Sequence, residues 1–501
     1  MKNSMASAWL RNFLGHSPNG YKLAVVLCLL LNPLFLAMLG PVFTSWLIMA
    51  QFIAVLAMSL KCYPLQPGGL LAIEAVLLEL TDVRSVYNEV LAGISVILLM
   101  IFMVTAIYFL RDLLLVLFTR LLLSVRRHWV LSLLFCLASA ALSAFLDALT
   151  VMAVVLTVGA GFYSVYHKVA SGKQQEDESH DHSLDYEVHE LHHQDLQDFR
   201  GFLRGLLMHA AVGSALGGVM TQVGEPQNLL IAKQAGWDFI QFATKVAPVS
   251  VPVLCAGLIT CLLVEHLRWF GYGQELPEAV RHVLKEHANR QAARRGPRER
   301  ASLWAQALAA IVLVMALGMH WAEVGLIGLL MIILTTSVTG VTEEHRLGKA
   351  FEASLPFTAL LVVFFAIVAM IHDQHLFEPV VQWVLSLQGR MQLGMFYAAT
   401  GVLSAVSDNV FVATIYISEI KAALLEGALT PQRFEQLAVA VNVGTNIPSV
   451  ATPNGQAAFL FVLTSALAPL IRLSYGRMLW MALPYTVVLT LTGLLATIYW
   501  L

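Results

Sequence analysis

Between residues 21 and 499 the chain keeps returning to apolar runs of about twenty residues, the length of helix that crosses the hydrocarbon of a bilayer. Lipid offers no water to an exposed N–H or C=O. Such a run therefore crosses as a helix, and irregular backbone survives at that depth only inside protein or beside a wet cavity. Of 501 residues 58% are hydrophobic and 12% charged, about half the charged share of a soluble domain. The chain reads as an all-α polytopic membrane protein. A net charge of −2 with no basic face excludes nucleic acid as a partner. The five cysteines, Cys28, Cys62, Cys136, Cys255 and Cys261, have no paired spacing and imply neither a disulfide framework nor a zinc site.

Residues 21–39 and 43–60 are each long enough to cross, and Lys61 marks the far end of the pair. Lys2 and Arg11 precede the first run and Lys22 stands at its start; the run is too long for a signal-peptide core and reads as an uncleaved span with a cytoplasmic N-terminus. Residues 65–80 are shorter and carry Glu74; 90–110 is a full span closed by Arg111. The stretch 111–127 sets Arg111, Arg120, Arg126 and Arg127 around an apolar face, the pattern of a helix lying flat in the interface.

Residues 129–166 are apolar but for SAFLDALT, 143–150, at their middle, and Arg127 and Lys168 flank both ends. Entry and exit on one side predict a re-entrant hairpin with Asp147 at its tip. A carboxylate at membrane depth costs several kcal/mol and marks a functional site by default. The segment 168–200 then turns acidic and His-rich, with nine Asp or Glu and His180, His182, His189, His192 and His193, and reads as a cytoplasmic loop. Its HELHH, 189–193, matches the H-E-x-x-H zinc pattern, with His189 and His193 as ligands and Glu190 as base. An acidic loop supplies neither the packed helix nor the supporting shell such a site needs, so a solvated loop is the better reading.

Residues 202–236 form a broken crossing. Within GSALGGVMTQVGEPQNLLIA, 213–232, Gly217, Gly218 and Gly224 permit irregular dihedrals and Pro226 removes a backbone donor, so carbonyls are expected free at mid-membrane. A plain span, 239–264, follows, and 265–302 holds eight Lys or Arg, a cytoplasmic linker between two halves.

The second half repeats the order. Spans at 303–321, 324–341 and 355–371 precede a hairpin at 393–417 with SAVSDNVF, 404–411, and a broken crossing at 437–467 holding Gly444, Pro448 and Pro453; 478–499 ends the chain. Asp408 aligns with Asp147 and Ser404 with Ser143, and Thr452, Pro453 and Asn454 stand against Glu225, Pro226 and Gln227. Asp147 to Pro226 is 79 residues and Asp408 to Pro453 is 45; the acidic loop accounts for the difference of 34. Each half has five crossings, and an odd number inverts the second copy. The organisation is a leading segment 1–42, a first repeat 43–265, a linker 266–302 and an inverted second repeat 303–501, about eleven crossings in all, with the C-terminus periplasmic. Inverted repeats with paired broken helices are the mark of a secondary transporter whose site lies at the midplane.

A hard cation such as Na+ takes oxygen ligands. Asp147 with Ser143 and Thr150, and Asp408 with Ser407 and Asn409, offer them at the tips; Glu225, Asn228, Thr452 and Asn454 add them from the broken spans. A carboxylate that holds a proton cannot also hold Na+, so alternating access of one shared site is sufficient for antiport. The plainer alternatives are that each Asp pairs with a neighbouring helix and that Glu225 merely caps the helix restarting at Pro226. Glu74, His209, Glu323, Asp373 and Glu419 read as structural, His320 and His372 as interfacial.

The chain resembles the NhaB-type sodium/proton antiporters of bacterial inner membranes, within the ion transporter superfamily. The resemblance runs the whole length and rests on WLRNFLG at 9–15, KCYPLQPGGLLAIEA at 61–75, SAFLDALT, GGVMTQVGEPQNLLIAKQAGW, LRWFGYG at 267–273, SDNVFVATIYI and the run 442–484. It implies electrogenic exchange of cytoplasmic Na+ or Li+ for external H+ by a homodimer, with no cofactor and no enzymatic activity. A dicarboxylate carrier of the same superfamily would carry neutral tips, because fixed carboxylates repel its substrate; a metalloid efflux permease also keeps the Asp. An intramembrane aspartyl protease needs a GxGD sequence that is absent here.

Overall fold

The computed structural model describes residues 5–173, 180–352, 354–387 and 389–501. Residues 174–179, inside the acidic loop, lie outside the described part. The described residues are helical with no strand. Six helices are long and apolar enough to cross a membrane: Asn19–Leu39, Ala148–Ala170, Phe239–Leu267, Pro297–Gly318, Leu355–Asp373 and Tyr475–Trp500. A seventh is the pair Val83–Ala92 and Ile94–Tyr108, bent by 60°. Pro41–Ala57, Leu65–Leu77, His128–Ser143 and Val324–Thr339 are shorter apolar helices.

The bend has a local cause. A side chain at Gly93 would collide with the ring of Phe365, so only glycine lets Leu355–Asp373 come this close. The short helix Leu65–Leu77 keeps its carboxylate because Asn32 Nδ2, on Asn19–Leu39, donates to Glu74 Oε2 at 2.7 Å. The arginine-rich stretch forms the helix Arg111–Ser124, which buries Leu114, Phe118 and Leu122 at i, i+4, i+8 and packs the ring of Phe118 against that of Phe135 of the first hairpin, tilted by 45° with centroids 5.3 Å apart. The linker differs from its reading as a loop. EAVRHVLKEHANRQAAR is made of strong helix formers, and Glu278–Arg294 is helical with Val280, Arg281 and Leu284 buried.

Several of the helix packings occur in pairs. His193–Gly218 lies on His128–Ser143, and Pro431–Asn446 lies on Arg390–Ser404. Val324–Thr339 packs on Leu99–Met103, and Leu355–Asp373 on Leu65–Leu77. Between the halves the contacts cross over: Pro226–Ala235 packs on Asn409–Leu425, and Ala457–Thr464 packs on Ala148–Ala170. The helix that follows each break thus packs on the helix that leaves the other hairpin.

A candidate cation-binding cavity

Each hairpin is built around an aspartate that caps a helix. His128–Ser143 ends, the chain turns through 144–147, and Asp147 in extended backbone opens Ala148–Ala170, its Oδ2 accepting from Leu149 N at 3.1 Å. Arg390–Ser404 ends likewise, and Asp408 opens Asn409–Leu425, its Oδ1 accepting from Val410 N at 2.8 Å and Phe411 N at 3.4 Å. A carboxylate at a helix N-terminus is favoured by the amides and the dipole aimed at it. Neither aspartate pairs with a Lys, Arg or His of another helix among the described residues, so the ion-pair alternative has no partner here.

The broken spans clamp the tips in the same way twice. Thr221 Oγ1 donates to Ala144 O and Thr452 Oγ1 to Ala405 O, both at 2.5 Å. Three residues on, Gly224 lies against Ser143 O and Gly455 against Ser404 O, where a Cβ would clash with the carbonyl. The next residues, Glu225 and Gln456, hold extended backbone before the helix restarts. Thr452 thus corresponds to Thr221, and TPNGQ to TQVGE. That differs by four residues from the alignment of Thr452, Pro453 and Asn454 with Glu225, Pro226 and Gln227. Pro226 starts a helix while Pro453 sits inside the break, so matching the prolines sets the wrong register.

Other residues do something different from what their types suggest. Gly217 and Gly444 are helical and do not unwind the chain; Gly217 closes on the Ala140 carbonyl and Gly444 on Tyr397 and Thr400. Gly218 is the last residue of its helix, and Pro448 starts the 3-10 turn Pro448–Ala451. Three carbonyls of the first break, those of Gly218, Val219 and Thr221, are taken up by amide side chains. Asn228 Nδ2 donates to Gly218 O and Thr221 O, both at 2.7 Å, and its Oδ1 accepts from Asn446 Nδ2 at 3.0 Å. Gln227 Nε2 donates to Asn446 Oδ1 at 2.8 Å, and Asn442 Nδ2 to Val219 O at 3.3 Å. Unmet acceptors in an apolar interior are costly, so Asn228 closes the break rather than facing an ion. Ser143 is buried with its Oγ 3.4 Å from Ser214 Oγ, and Ser143, Thr150 and Ser407 do not line the cavity.

Asp147, Asp408, Glu225, Asn409 and Asn454 do. They line one cavity of about 440 Å³, walled on its apolar side by Leu360, Phe364 and Phe461. Asp147 and Glu225 are each 3% exposed, and Asp408 is half-buried. Glu225 makes no capping hydrogen bond although it occupies the position for one, and its buried Oε1 has no partner among the described residues. It lines the same cavity as the two aspartates. The Asn409 amide, with its nitrogen toward the break, donates to Thr445 O at 3.1 Å and Gly455 O at 3.2 Å. Asn454 Nδ2 donates to Ala57 O, and its Oδ1 is buried without a partner among the described residues. The structural reading of His209 agrees with its place away from the cavity, bonded to Tyr485 Oη and Glu265 Oε1, each at 2.7 Å.

Residues 1–501 match the family model described as Bacterial Na+/H+ antiporter B (NhaB). The chain belongs to the NhaB family. Its relatives include proteins named Na(+)/H(+) antiporter NhaB in three organisms. The one from Pseudomonas fluorescens is 61% identical over 501 residues, all of both chains. That of Marinobacter nauticus is 60% identical over 494 residues, 99% of each chain. That of Photobacterium profundum is 59% identical over 494 residues, 99% of this chain and 93% of the relative. NhaB members are antiporters, not enzymes, and family and apolar helices together make this chain a multi-pass protein of a bacterial inner membrane.

Proposed function

We propose that this chain exchanges cytoplasmic Na+, or Li+, for external H+ at the cavity that Asp147, Asp408 and Glu225 line. The observation that carries the reading is the convergence of three carboxyl groups on one space, with oxygen-bearing Asn409 and Asn454 beside them. Hard monovalent cations want such oxygens, and a carboxyl that takes a proton withdraws from the ligand set. Three carboxyls can carry more than one proton for each cation, which makes the exchange electrogenic. The same three groups would repel a dicarboxylate.

Two inverted repeats, 43–265 and 303–501, account for the paired packing and for the twin bonds from Thr221 and Thr452. Counting each broken helix as one crossing gives eleven, with the N-terminus cytoplasmic and the C-terminus periplasmic. The protein works as a homodimer, each copy with its own cavity. Alternating access follows if the hairpin–break unit moves against the scaffold. Purified protein in liposomes with defined Na+ and pH gradients tests this. Asp147→Asn and Asp408→Asn each abolish Na+-driven proton movement with insertion unchanged; Glu225→Gln raises the KM for Na+ about tenfold, the scale of one charge-assisted contact. Wild-type exchange by both Asp→Asn proteins would refute the assignment.

A further inference from the structure

The described end of the acidic loop folds back on the outgoing helix of the first hairpin and gathers three imidazoles there. His167, in the last turn of Ala148–Ala170, joins His180 and His182, and one ligand nitrogen from each lies within 4.8 Å of the others. His167 is fully buried, His180 is 7% exposed and His182 half-buried. His167 Nδ1 and His180 Nε2 are 2.7 Å apart, and the His180 and His182 rings stand 4.9 Å centre to centre. Twenty residues of helix, about 30 Å, separate them from Asp147. Cation exchange at the cavity does not use them.

The second nitrogen of His167 supplies an independent observation. Its Nε2 has no hydrogen-bond partner among the described residues and faces Asp185 Oδ1 at 4.0 Å. Asp185 is fixed in turn by Arg200, at 2.6 and 2.9 Å, and by Arg472 at 2.8 Å, and Arg200 also donates to Tyr163 Oη at 2.7 Å. In metal sites a carboxylate that accepts a hydrogen bond from the outer nitrogen of an imidazole fixes the tautomer and raises the basicity of the inner nitrogen; Asp185, at 4.0 Å, reaches that position with a shift of about an ångström. Here the inner nitrogen is Nδ1, the one turned to the cluster.

We propose that His167, His180 and His182 bind a divalent transition metal of the Zn2+ class, with Asp185 orienting His167 from behind and a fourth position left to water. Three imidazoles with one open position is a recurrent zinc set, and all-nitrogen donors disfavour Mg2+ and Ca2+. Zn–N bonds of about 2.0–2.1 Å need nitrogens about 3.4 Å apart, so the hydrogen-bonded His167–His180 pair, at 2.7 Å, opens slightly to admit the metal while the wider separations, up to 4.8 Å, close. The H-E-x-x-H match plays no part. His189 and His193 flank the short 3-10 turn Glu190–His192, and His193 Nε2 lies 3.1 Å from Val188 O.

The test uses the purified full-length protein with any affinity tag removed, titrated with Zn2+ against a chromophoric chelator and with Co2+ followed by visible absorption. One metal per chain and a tetrahedral Co2+ spectrum are expected. His180→Ala/His182→Ala weakens binding on the order of 100-fold while Na+/H+ exchange continues, which shows the protein is folded. His189→Ala/His193→Ala leaves binding unchanged. No metal on the wild type, wild-type affinity in the first variant, or loss in the second would each overturn the proposal.

Discussion

Replacing Thr221 and Thr452 by valine separates clamp from ligand. Valine keeps the shape of threonine and removes the hydroxyl. Thr221 loses its bond to Ala144 O; Thr452 loses the bond to Ala405 O and the one it accepts from Gly455 N at 3.0 Å. A net hydrogen bond contributes about 0.5–1.5 kcal/mol, and membrane interiors average near 0.6. Thr221→Val should therefore cost roughly 1 kcal/mol and Thr452→Val roughly 1–2, and at about 1–2 °C per kcal/mol for a chain of this length the melting temperature in detergent falls by about 1–4 °C. The KM for Na+ should move less than about threefold, because neither hydroxyl lines the cavity. Were Thr452 an ion ligand, its loss would raise KM about tenfold and leave the melting temperature alone. That pattern, at Thr452 only, would refute both the clamp and the register that pairs it with Thr221.

Asn228→Leu orphans Gly218 O and Thr221 O, so stability measured by thermal unfolding in detergent should fall by about 2–4 kcal/mol, several times the effect of Thr221→Val. Gly217→Ala pushes a methyl into the Ala140 carbonyl and should cost about 1–3 kcal/mol, whereas Gly236→Ala, where nothing stands within 4 Å but φ is +72°, should cost about 1. Arg200 beside Asp185 holds its carboxyl below the usual carboxylate range, so the stabilisation it gives is present above the unfolded-state value near 3.9 and lost as pH falls through the lower folded value. The stability difference between wild type and Asp185→Asn should thus be flat from pH 8 to 5 and shrink only below about 4.

The place of the two aspartates at the turns of the hairpins was legible because a charge inside an apolar run has a cost that the order of residues exposes, and the broken helices because Gly and Pro interrupt a length that should cross. The job of Asn228 was not legible. A backbone carbonyl left open by a helix break has no letter in the sequence, and the amide that closes it looks like an ion ligand. Glu225 beside Pro226 reads equally as an ion ligand or a helix cap until its side chain is seen to make no capping bond. Gly217 and Gly444 serve helix contact, and contact needs the partner helix, which no local pattern names. His167 hid for a similar reason. It ends an apolar helix thirteen residues before His180, and only the fold of the loop brings the two rings together. Twin threonines were available as an alignment anchor, but proline is the louder signal, and it shifted the second break by four residues.

Exchange at a shared cavity requires that protons and Na+ compete for one set of carboxyl oxygens. Initial rates of Na+ efflux from proteoliposomes, measured across Na+ concentration at a series of pH values, test this most directly. Competition predicts that acidification raises the KM for Na+ while the maximal rate stays nearly constant, until protons can no longer leave the site, and that Asp147→Asn and Asp408→Asn abolish the coupled flux. A KM for Na+ that stays fixed across pH while the maximal rate changes would contradict it.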